Sequence, residues 1–539
     1  MKLLNLLVIL GLVVTKSWQQ YIEELRKSLI GPIFIKGTKE YEKRRLVHNA
    51  LCETIYPDLI VLPQSTKDVS TILRITDNYD VPISVRSGGH SYTCTSIKQS
   101  GVHIDLRAMN KIELLSPYLA ILEPGSTWND VLDIIPPTDF TMLHGQCRSV
   151  GVGGYLVGGG VNWVGTYEKY GSAAENVVRY TLVTADGTIL HVSDGNTTVI
   201  RGSSPAYQIQ YDHGLNFALK GAGSSMGIVT EFEYKVYPEP ETLPTLAMVF
   251  IENAKDLENI ERASKDRRYQ ISIYNNYLFR NTNIYAPNSG AFKILPKILK
   301  QMAFKAVEPV VVVMVDMNPK VGRITERRKA YNFLKSYGVK IALDGIFAEI
   351  LPNNAQDTGN YEQLYLTENE LRYRGFQAIS SGNMQGISSL KTFEKFLLYH
   401  PIFGLYNQDS KMSLESGCEF CFVVIVASNR PSNQNIPVVL KGTFQYELSC
   451  LHPKLHGRKC SKVLKNVKEN LRRKAIQLGD KPFQYLNTPS CDLKESFKDR
   501  YFRPGVYEKL LRTKRYWDPR NRFNHCHSIG NNNENCCPV

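Results

Sequence analysis

The sequence predicts an α+β fold with more than one domain. A chain of 539 residues is too long for a single hydrophobic core, and its hydrophobic fraction of 43% is typical of globular proteins. Before residue 238, a strand, a helix and a second strand lead into a glycine turn, an arrangement that places a ligand loop at the end of a strand. Beyond residue 238, strand-like runs alternate with helical ones, as expected for a sheet covered by helices on one face.

These patterns divide the chain into a leader in residues 1–18, a first domain in 19–238 and a remainder from 239 onward. Within that remainder, a family resemblance implies a second domain in 239–484 and a closing segment in 485–539. The leader resembles a secretory signal peptide, because Lys2 precedes an apolar run over residues 3–14 that is too short to span a bilayer comfortably. No other run approaches ~18 continuous apolar residues, so we expect a secreted protein without a membrane span.

The cysteine content agrees with an oxidising compartment. The chain has 11 cysteines, and Cys418 and Cys421 form a C-x-x-C pattern without the second pair that would complete a zinc site. We therefore favour disulfides over a bound metal, with the pairing left open. The sequon Asn196-Thr197-Thr198 fits a secreted glycoprotein, although single sequons also arise by chance.

The charge balance is basic, with a formal net charge of +14 from 65 Lys+Arg and 51 Asp+Glu. Such an excess is compatible with an acidic partner. However, the basic residues are spread along the chain and form no long tract with interleaved aromatic residues, which argues against a nucleic-acid partner.

The first domain begins with a polar stretch, residues 19–50, in which Tyr21, Leu25 and Leu29 have helical spacing. Its other predicted elements follow in chain order: strand 58–63, helix 69–79 with Ser65 as its cap, strand 81–85, strands 102–106, 112–115 and 119–122, a helix from 125 into 132, and a hairpin over 175–190 around Asp186-Gly187. In the second domain, the clearest predicted strands are 247–251, 310–315 and 422–426, with a helix over 465–478.

Two glycine-rich loops are the main functional signal. The strand 81–85 turns abruptly at Gly88-Gly89, and His90 stands on that turn. Glycines allow positive φ, so backbone N–H groups can converge there on an anion such as a pyrophosphate. The second loop, residues 145–160, is richer still in glycine, as expected where the chain approaches another chain segment or a flat ligand closely. Either loop alone is also compatible with a purely structural turn.

Together the loops resemble a known family. The runs 86–91, 145–154 and 227–230 resemble the FAD-binding domain of the vanillyl-alcohol-oxidase, or PCMH, type, and most closely its berberine-bridge-enzyme-like, oligosaccharide-oxidase-like branch. The resemblance covers roughly residues 50–238 and returns at Tyr485-Leu486-Asn487, expected on a strand, and at 517–523. It implies an FAD-binding domain of two subdomains, a substrate domain with an antiparallel sheet covered by helices, and a C-terminal segment that returns to the FAD domain.

The branch is distinguished by two covalent bonds to one flavin, and the resemblance implies FAD bound through His90 and Cys147. The alternatives are a turn histidine and either a small buried thiol or half of a disulfide. If Cys147 holds flavin, ten cysteines remain, which suits disulfides; however, Arg148 follows it where family members usually carry Pro. No metal site is expected. The resemblance further implies that FAD is contacted by Arg86, Ser87, Gly88, Gly89, Ser91, Gly151, Gly153, Gly154, Gly227, Ile228 and Val229.

Three residues are candidates for the chemistry. Tyr485 is the candidate general base, which requires a phenol whose pKa lies below the usual ~10. Asn487 would hydrogen-bond flavin or substrate, although Tyr-x-Asn on a strand is also common packing. Val150 matches the position that controls oxygen access in related enzymes, and valine there implies an oxidase; it could also be an ordinary β-branched strand residue.

The resemblance therefore implies a secreted oxidase. It would take hydride from an alcohol or hemiacetal carbon of a small molecule, foremost a sugar or oligosaccharide, and pass the electrons from FAD to dioxygen to give hydrogen peroxide. We expect a monomer. A dehydrogenase, an alkaloid or allylic-alcohol oxidase, and a secreted binding or defence protein without turnover remain open. Departures from the family pattern at Arg148, Tyr155 and Asn162 keep the last alternative in view.

Overall fold

The computed structural model describes most of the first 238 residues, parts of the middle of the chain and most of the closing segment. The described residues are 18–116, 118–135, 140–145, 149–161, 170–201, 204–209, 211–238, 243–250, 255, 258–259, 262–263, 271–276, 282–286, 310–317, 332–341, 376–384, 420–427, 433–438, 444–452, 457–479, 483–489 and 497–531. The predicted signal peptide (except residue 18), Cys147, Arg148, Asn162 and Cys418 therefore lie outside the described residues.

The first sheet has four strands in the order β1-β2-β4-β3. The strands β2, β4 and β3 are parallel, and β1 pairs with β2 in the antiparallel direction. Its strands are β1 Ile33–Ile35, β2 Leu59–Val61, β3 Ile83–Arg86 and β4 Val102–Asp105, and its helices are α1 over residues 18–28, α2 Lys39–Arg44 and α3 Thr66–Asn78. The predicted strand-helix-strand unit is confirmed, and Ser65 caps α3 by accepting a hydrogen bond from the N–H of Asp68 at 3.1 Å.

The expected helical start of residues 19–50 is confirmed: α1 covers residues 18–28, and α2 follows β1 within the same stretch. Helix α1 buries Tyr21 and Leu25, as their spacing predicted. The chain then turns at Gly31, where a Cβ would overlap the carbonyl oxygen of Leu62, and pairs as β1 with β2. This close approach of two backbones ends the helical periodicity, because only glycine fits there.

The second sheet is a seven-stranded antiparallel sheet in the order β11-β10-β9-β8-β12-β6-β5. The predicted hairpin is confirmed, since β8 pairs with β9 around a turn in which Gly187 has a φ of 83°. Its strands are β5 Ile112–Ser116, β6 Leu119–Leu122, β8 Val177–Val183, β9 Ile189–Ser193, β10 Asn196–Arg201, β11 Ser204–Ile209 and β12 Ile228–Lys235; β7 Phe140–Thr141 pairs separately with β13 Tyr237–Pro238.

Three helices of the first domain accompany this sheet: α4 Trp128–Ile134, α5 Val152–Val157 and α6 Leu215–Ala222. Short 3-10 helices occur at Ala50–Thr54, Leu106–Ala108, Ala173–Asn176 and Gly223–Ser225. The core between the helices and the sheet contains Trp128 and Phe232, and Tyr485, Tyr501 and Leu510 of the closing segment belong to the same core. Burial of these large side chains supplies much of the apolar stabilisation of the domain.

The third sheet is formed by strands beyond residue 238 and has eight described strands in the order β18-β14-β17-β15-β16-β20-β21-β19. Its pairs are antiparallel except β16 with β20, which is parallel, so the predicted antiparallel sheet is confirmed with one exception. Its strands are β14 Leu243–Phe250, β15 Ile271–Asn276, β16 Thr282–Ala286, β17 Val310–Met317, β18 Lys340–Ile341, β19 Phe376–Met384, β20 Phe420–Ala427 and β21 Phe444–His452. The predicted helix 465–478 corresponds to α7 Gly457–Gln477, which begins eight residues earlier, ends one residue earlier, and contacts β19 and β21. Among the described helices, none is both long and apolar enough to cross a membrane.

The disulfide expectation is confirmed for one pair. Cys52 and Cys94 are bonded at 2.08 Å, and both are buried. The bond ties the stretch before β2 to the stretch that follows the His90 turn, so it restricts the loop from both sides.

The closing segment contains α8 Phe497–Tyr501 and α9 Val506–Trp517, and a buried ion pair holds its end against the first domain. The ammonium of Lys514 donates to the carboxylate of Asp518 at 2.5 Å, to the carbonyl of Ser225 at 2.8 Å and to that of Phe523 at 3.0 Å. Asp518 also accepts the N–H groups of Arg522 and Phe523. Burial lowers the pKa of Lys514, and Asp518 opposes that shift.

We predict that Asp518→Asn destabilises the protein by about 3 kcal/mol, because it leaves the Lys514 ammonium buried without a counter-charge. Urea unfolding followed by tryptophan fluorescence measures the change. Asp133→Asn, at an exposed position of α4, is the matched control and should change the unfolding free energy by less than about 0.5 kcal/mol. Equal effects of the two substitutions would contradict a structural role for the ion pair.

Candidate cofactor and active site

The two glycine loops meet backbone to backbone. A Cβ on Gly88 would overlap the amide nitrogen of Gly151 and lie 2.9 Å from its Cα, and a Cβ on Gly151 would overlap the amide nitrogen of Gly88. Glycine is therefore required on both sides of the contact. The hydroxyl of Ser87 donates to the carbonyl of Pro124 at 2.5 Å and ties the first loop to the loop before α4.

Arg86 lies beneath the first loop rather than in a ligand site. Its side chain is buried and donates to the carbonyls of Arg44 at 2.7 Å and Leu46 at 2.9 Å. Its Nε would lie 2.8 Å from a Cβ on Gly89, so Gly89, with a φ of 81°, rests directly on the guanidinium group. The structure thus places Arg86, expected to contact a cofactor, as a support of the turn.

A cavity of about 330 Å³ opens where the loops meet, within the range of small-molecule and cofactor sites. All of the predicted site residues line it except Arg86 and Cys147, the latter lying outside the described residues. The predicted residues that line the cavity are Ser87, Gly88, Gly89, His90, Ser91, Val150, Gly151, Gly153, Gly154, Gly227, Ile228, Val229, Tyr485 and Asn487. None of the described lining residues is Asp or Glu, so the wall carries no fixed negative charge that would repel an anion.

The glycines of the second loop shape the wall of the cavity. Gly154 lies in α5, and a Cβ built on it meets nothing within 4 Å. The backbone of Gly153 packs against Pro124, because a Cβ built on Gly153 would lie 2.8 Å from the Cβ of Pro124. Val150 lies at the start of this stretch, and its carbonyl accepts the N–H of Trp128 at 3.1 Å. On the opposite side, β12 begins at Ile228 directly after Gly227.

His90 is held in the cavity wall by two neighbours. Its Nε2 lies 2.8 Å from the hydroxyl of Ser149, and its ring stacks on His48 with centroids 4.1 Å apart. Burial in the wall, reinforced by His48 and Arg86, holds the pKa of His90 well below its usual value of 6.5. The imidazole is therefore neutral at physiological pH, and one ring nitrogen keeps its lone pair.

Tyr485 and Asn487 form a hydrogen-bonded pair at the cavity. Asn487 Nδ2 lies 3.0 Å from the hydroxyl oxygen of Tyr485 and 3.1 Å from the carbonyl of Tyr155. The pair lies in a turn, closed by the hydrogen bond from the N–H of Thr488 to the carbonyl of Tyr485, and so the expected strand was wrong. A Cβ on Gly158 would overlap Asn487 Oδ1, so the absence of a side chain at Gly158 makes room for the amide.

Tyr155, a departure from the family pattern, has a structural role of its own. Its ring packs edge-on against Trp128 with centroids 5.1 Å apart, and its hydroxyl donates to the carbonyl of His144 at 3.3 Å. Tyr155 also lines the cavity. The tyrosine side chain is thus packed and hydrogen-bonded, and the backbone carbonyl of the same residue accepts the amide of Asn487.

Lys98, His525 and His527 form a basic corner of the cavity that was not predicted from the sequence. Burial, together with Lys514, lowers the pKa of Lys98 to about 8, against the opposing effect of Asp518. Burial, with His527 and the two lysines, lowers the pKa of His525 to about 3. His525 Nε2 lies 3.1 Å from the hydroxyl of Ser224, and Nδ1 is buried without a hydrogen-bond partner among the described residues.

Comparison with known proteins agrees with this geometry. Residues 57–193 match the family model described as an FAD binding domain, and residues 484–530 match the one described as berberine and berberine like. Both matches confirm the resemblance inferred from the glycine loops and the closing segment.

Curated relatives match part of the chain. An FAD-dependent monooxygenase of Aspergillus calidoustus is 30% identical over 41% of this chain and 40% of its own length. The glucooligosaccharide oxidase of Sarocladium strictum is 26% identical over 46% of this chain and 49% of its own length. The matches thus span less than half of either relative. The solved structure of berberine bridge enzyme from Eschscholzia californica has the same fold, with a TM-score of 0.64 and 19% identity over 95% of this chain and 99% of that one.

We predict that Gly158→Ala destabilises the protein by about 1–3 kcal/mol, because the added methyl group must displace the Asn487 amide. Gly154→Ala is the matched control: its methyl group enters open space in a helix, so the unfolding free energy should stay the same or rise by up to about 1 kcal/mol. Urea unfolding measures both. A neutral Gly158→Ala would show that Asn487 has room to move.

Proposed function

Because the chain carries an FAD-binding domain and a berberine-like segment, we propose that it is a secreted, monomeric FAD-dependent oxidase. Its substrate would be an alcohol or hemiacetal carbon of a small molecule, foremost a sugar or oligosaccharide, with dioxygen as the second substrate. The observation that carries the proposal is that Tyr485, Asn487 and neutral His90 line one cavity with both glycine loops.

The cavity suits FAD in shape and charge. Gly154 leaves open space beside the loop, and the described wall has cationic or neutral polar groups but no carboxylate. The apolar side chains of Val150, Ile228 and Val229 suit a flat aromatic ring. Lys98 and the loop of Gly88 and Gly89 suit the negative charge of a pyrophosphate.

His90 and Cys147 are proposed to hold the flavin covalently. When Nε2–H of His90 donates to Ser149, the lone pair lies on Nδ1, which would bond the 8-methyl carbon of the flavin. That methyl group would lose one C–H bond, its proton going to solvent and its electron pair to the flavin, with dioxygen as the final oxidant. The low pKa of His90 keeps that nitrogen unprotonated, and stacking on His48 fixes the ring. Cys147 is assigned on the family resemblance alone. Its neighbour Arg148 would favour the thiolate.

The proposed reaction divides between the flavin and the protein. Bound flavin supplies the hydride acceptor, whose reoxidation by dioxygen yields hydrogen peroxide. Tyr485 takes the proton of the substrate hydroxyl, so that the carbon losing hydride becomes a carbonyl carbon, a lactone in the case of a hemiacetal. The N–H that Asn487 directs at the oxygen of Tyr485 stabilises the phenolate form of Tyr485, which is the form that accepts the substrate proton. Val150, small and aliphatic, would leave a path for dioxygen.

One likeness supports the substrate class without defining it: one relative is named a glucooligosaccharide oxidase. The other relative named above is a monooxygenase, so the fate of dioxygen must be measured directly. Release of one hydrogen peroxide per substrate oxidised indicates an oxidase, whereas an oxygen atom from dioxygen in the organic product indicates a monooxygenase.

Peptide mapping of the denatured protein tests the cofactor linkage. We predict FAD on the peptides that contain His90 and Cys147, and flavin on the Cys147 peptide alone in His90→Ala. Cys526→Ser is the control, because Cys526 does not line the cavity, and it should keep both links. Absence of covalent flavin from oxidatively folded protein would overturn the linkage, and absence of any flavin would overturn the oxidase.

We predict that Tyr485→Phe slows flavin reduction by oligosaccharide about 10²–10⁴-fold, because the proton acceptor is removed while the ring remains. Anaerobic stopped-flow absorbance measures the rate, and flavin content should stay unchanged. Tyr118→Phe, at an exposed turn, serves as the control with the wild-type rate expected. Near-normal reduction in Tyr485→Phe would assign the base role to another group.

A further inference from the structure

Away from the cavity, aromatic rings cluster on the surface beside α9. Tyr211 and Tyr516 are 66% and 53% exposed, which is unusual for side chains of this size. The ring of His213 lies between them, stacked on Tyr516 with centroids 3.6 Å apart and edge-on to Tyr211 at 4.8 Å. Trp517 packs edge-on to Tyr516 at 5.0 Å. We call Tyr211, His213 and Tyr516 the aromatic platform; none of them lines the cavity.

The loop beneath the platform is held rigidly. The indole of Trp517 donates to the carbonyl of Asp212 at 3.0 Å, and the hydroxyl of Thr513 donates to the carbonyl of His213 at 2.7 Å. The carboxylate of Asp212 accepts the N–H of Gly214 at 2.8 Å. His213 has a φ of 54°, a strained backbone conformation for a residue other than glycine. Such strain persists where surrounding contacts over-determine it, often at binding sites.

Basic side chains flank the platform. Lys509 and Arg512 are exposed and share one face of α9 with Tyr516, at spacings of three and four residues. The ammonium of Lys509 lies 3.9 Å from the ring centroid of Phe217. Glu508, the nearby exposed carboxylate of α9, lies 3.7 Å from Lys498. The carboxylate of Asp212 is engaged with backbone N–H groups. The surface therefore combines packed aromatic rings with two exposed cationic side chains, Lys509 and Arg512.

We propose that the aromatic platform binds an acidic polysaccharide. The C–H face of a pyranose ring is weakly positive and packs on the negative face of an aromatic ring, and uronate carboxylates complement Lys509 and Arg512. Rings that are already fixed lose little conformational entropy on binding. A nucleic acid also combines flat rings with negative charge. The Cys52–Cys94 disulfide indicates an oxidising compartment, which favours an extracellular polymer.

Affinity electrophoresis of the full-length protein in gels containing polygalacturonate tests whether the aromatic platform binds an acidic polysaccharide. We expect retardation by polygalacturonate and much weaker retardation by neutral xylan. The double variant Tyr211→Ala/Tyr516→Ala should raise the Kd about tenfold or more, as loss of aromatic anchors does. Lys509→Gln/Arg512→Gln should raise the Kd and reduce its dependence on salt. Tyr118→Ala removes an equally exposed tyrosine, 61% exposed, at another site, and should bind as the wild type does.

Several outcomes would overturn the proposal. These are no retardation of the wild type, equal retardation of the wild type and the double tyrosine variant, and equal retardation by neutral xylan. Tighter binding to a single-stranded oligodeoxynucleotide, lost in the same variants, would reassign the platform to nucleic acid. Because both tyrosines are exposed, thermal unfolding of the double variant should match the wild type. Since binding is measured without turnover, the result does not depend on oxidase activity.

Discussion

The backbone contact between Gly88 and Gly151 is the constraint on which the site depends. It joins the loop that follows β3 in the first sheet to the loop that precedes α5 beside the second sheet. Any side chain at either position would separate the loops, and with them His90 from Ser149. The two loops that are proposed to attach flavin can therefore lie this close together only because Gly88 and Gly151 have no Cβ atom.

The closing segment completes the cavity from the other side. The Lys514–Asp518 ion pair fixes the turn that carries Phe523, and the guanidinium of Arg522 donates to the carbonyls of Leu73 and Ala185. This segment supplies His525 and His527 to the wall, while Tyr485 and Asn487 approach from the preceding turn. The cavity is assembled from segments more than 400 residues apart in the sequence. Long-range hydrogen bonds and ion pairs of this kind are needed, because local structure alone cannot hold such distant segments together.

The parts of the site that sequence could predict are those with a local cause. The turn at Gly88-Gly89 and the contact at Gly151 require glycine, so both are visible in the sequence as a local pattern and as a family resemblance. Lys98 and His525 belong to no local pattern, since they become neighbours only through tertiary packing. The turn at Tyr485 was missed for the same reason. Its conformation depends on the room that Gly158 leaves for Asn487, a contact that no local pattern encodes.

The buried basic side chains of the cavity couple the stability of the folded protein to binding of the proposed cofactor. Burial depresses the pKa of Lys98 and His525; Asp518 opposes the shift of Lys98, but it does not line the cavity, and none of the described lining residues is Asp or Glu. A pyrophosphate in the cavity would supply that counter-charge, so binding of FAD would stabilise the folded state over the unfolded one. For a reversible ligand this gain depends on its free concentration. The proposed bonds through His90 and Cys147 would remove that dependence, which matters under the proposal that the protein is secreted and so diluted away from the FAD of its cell.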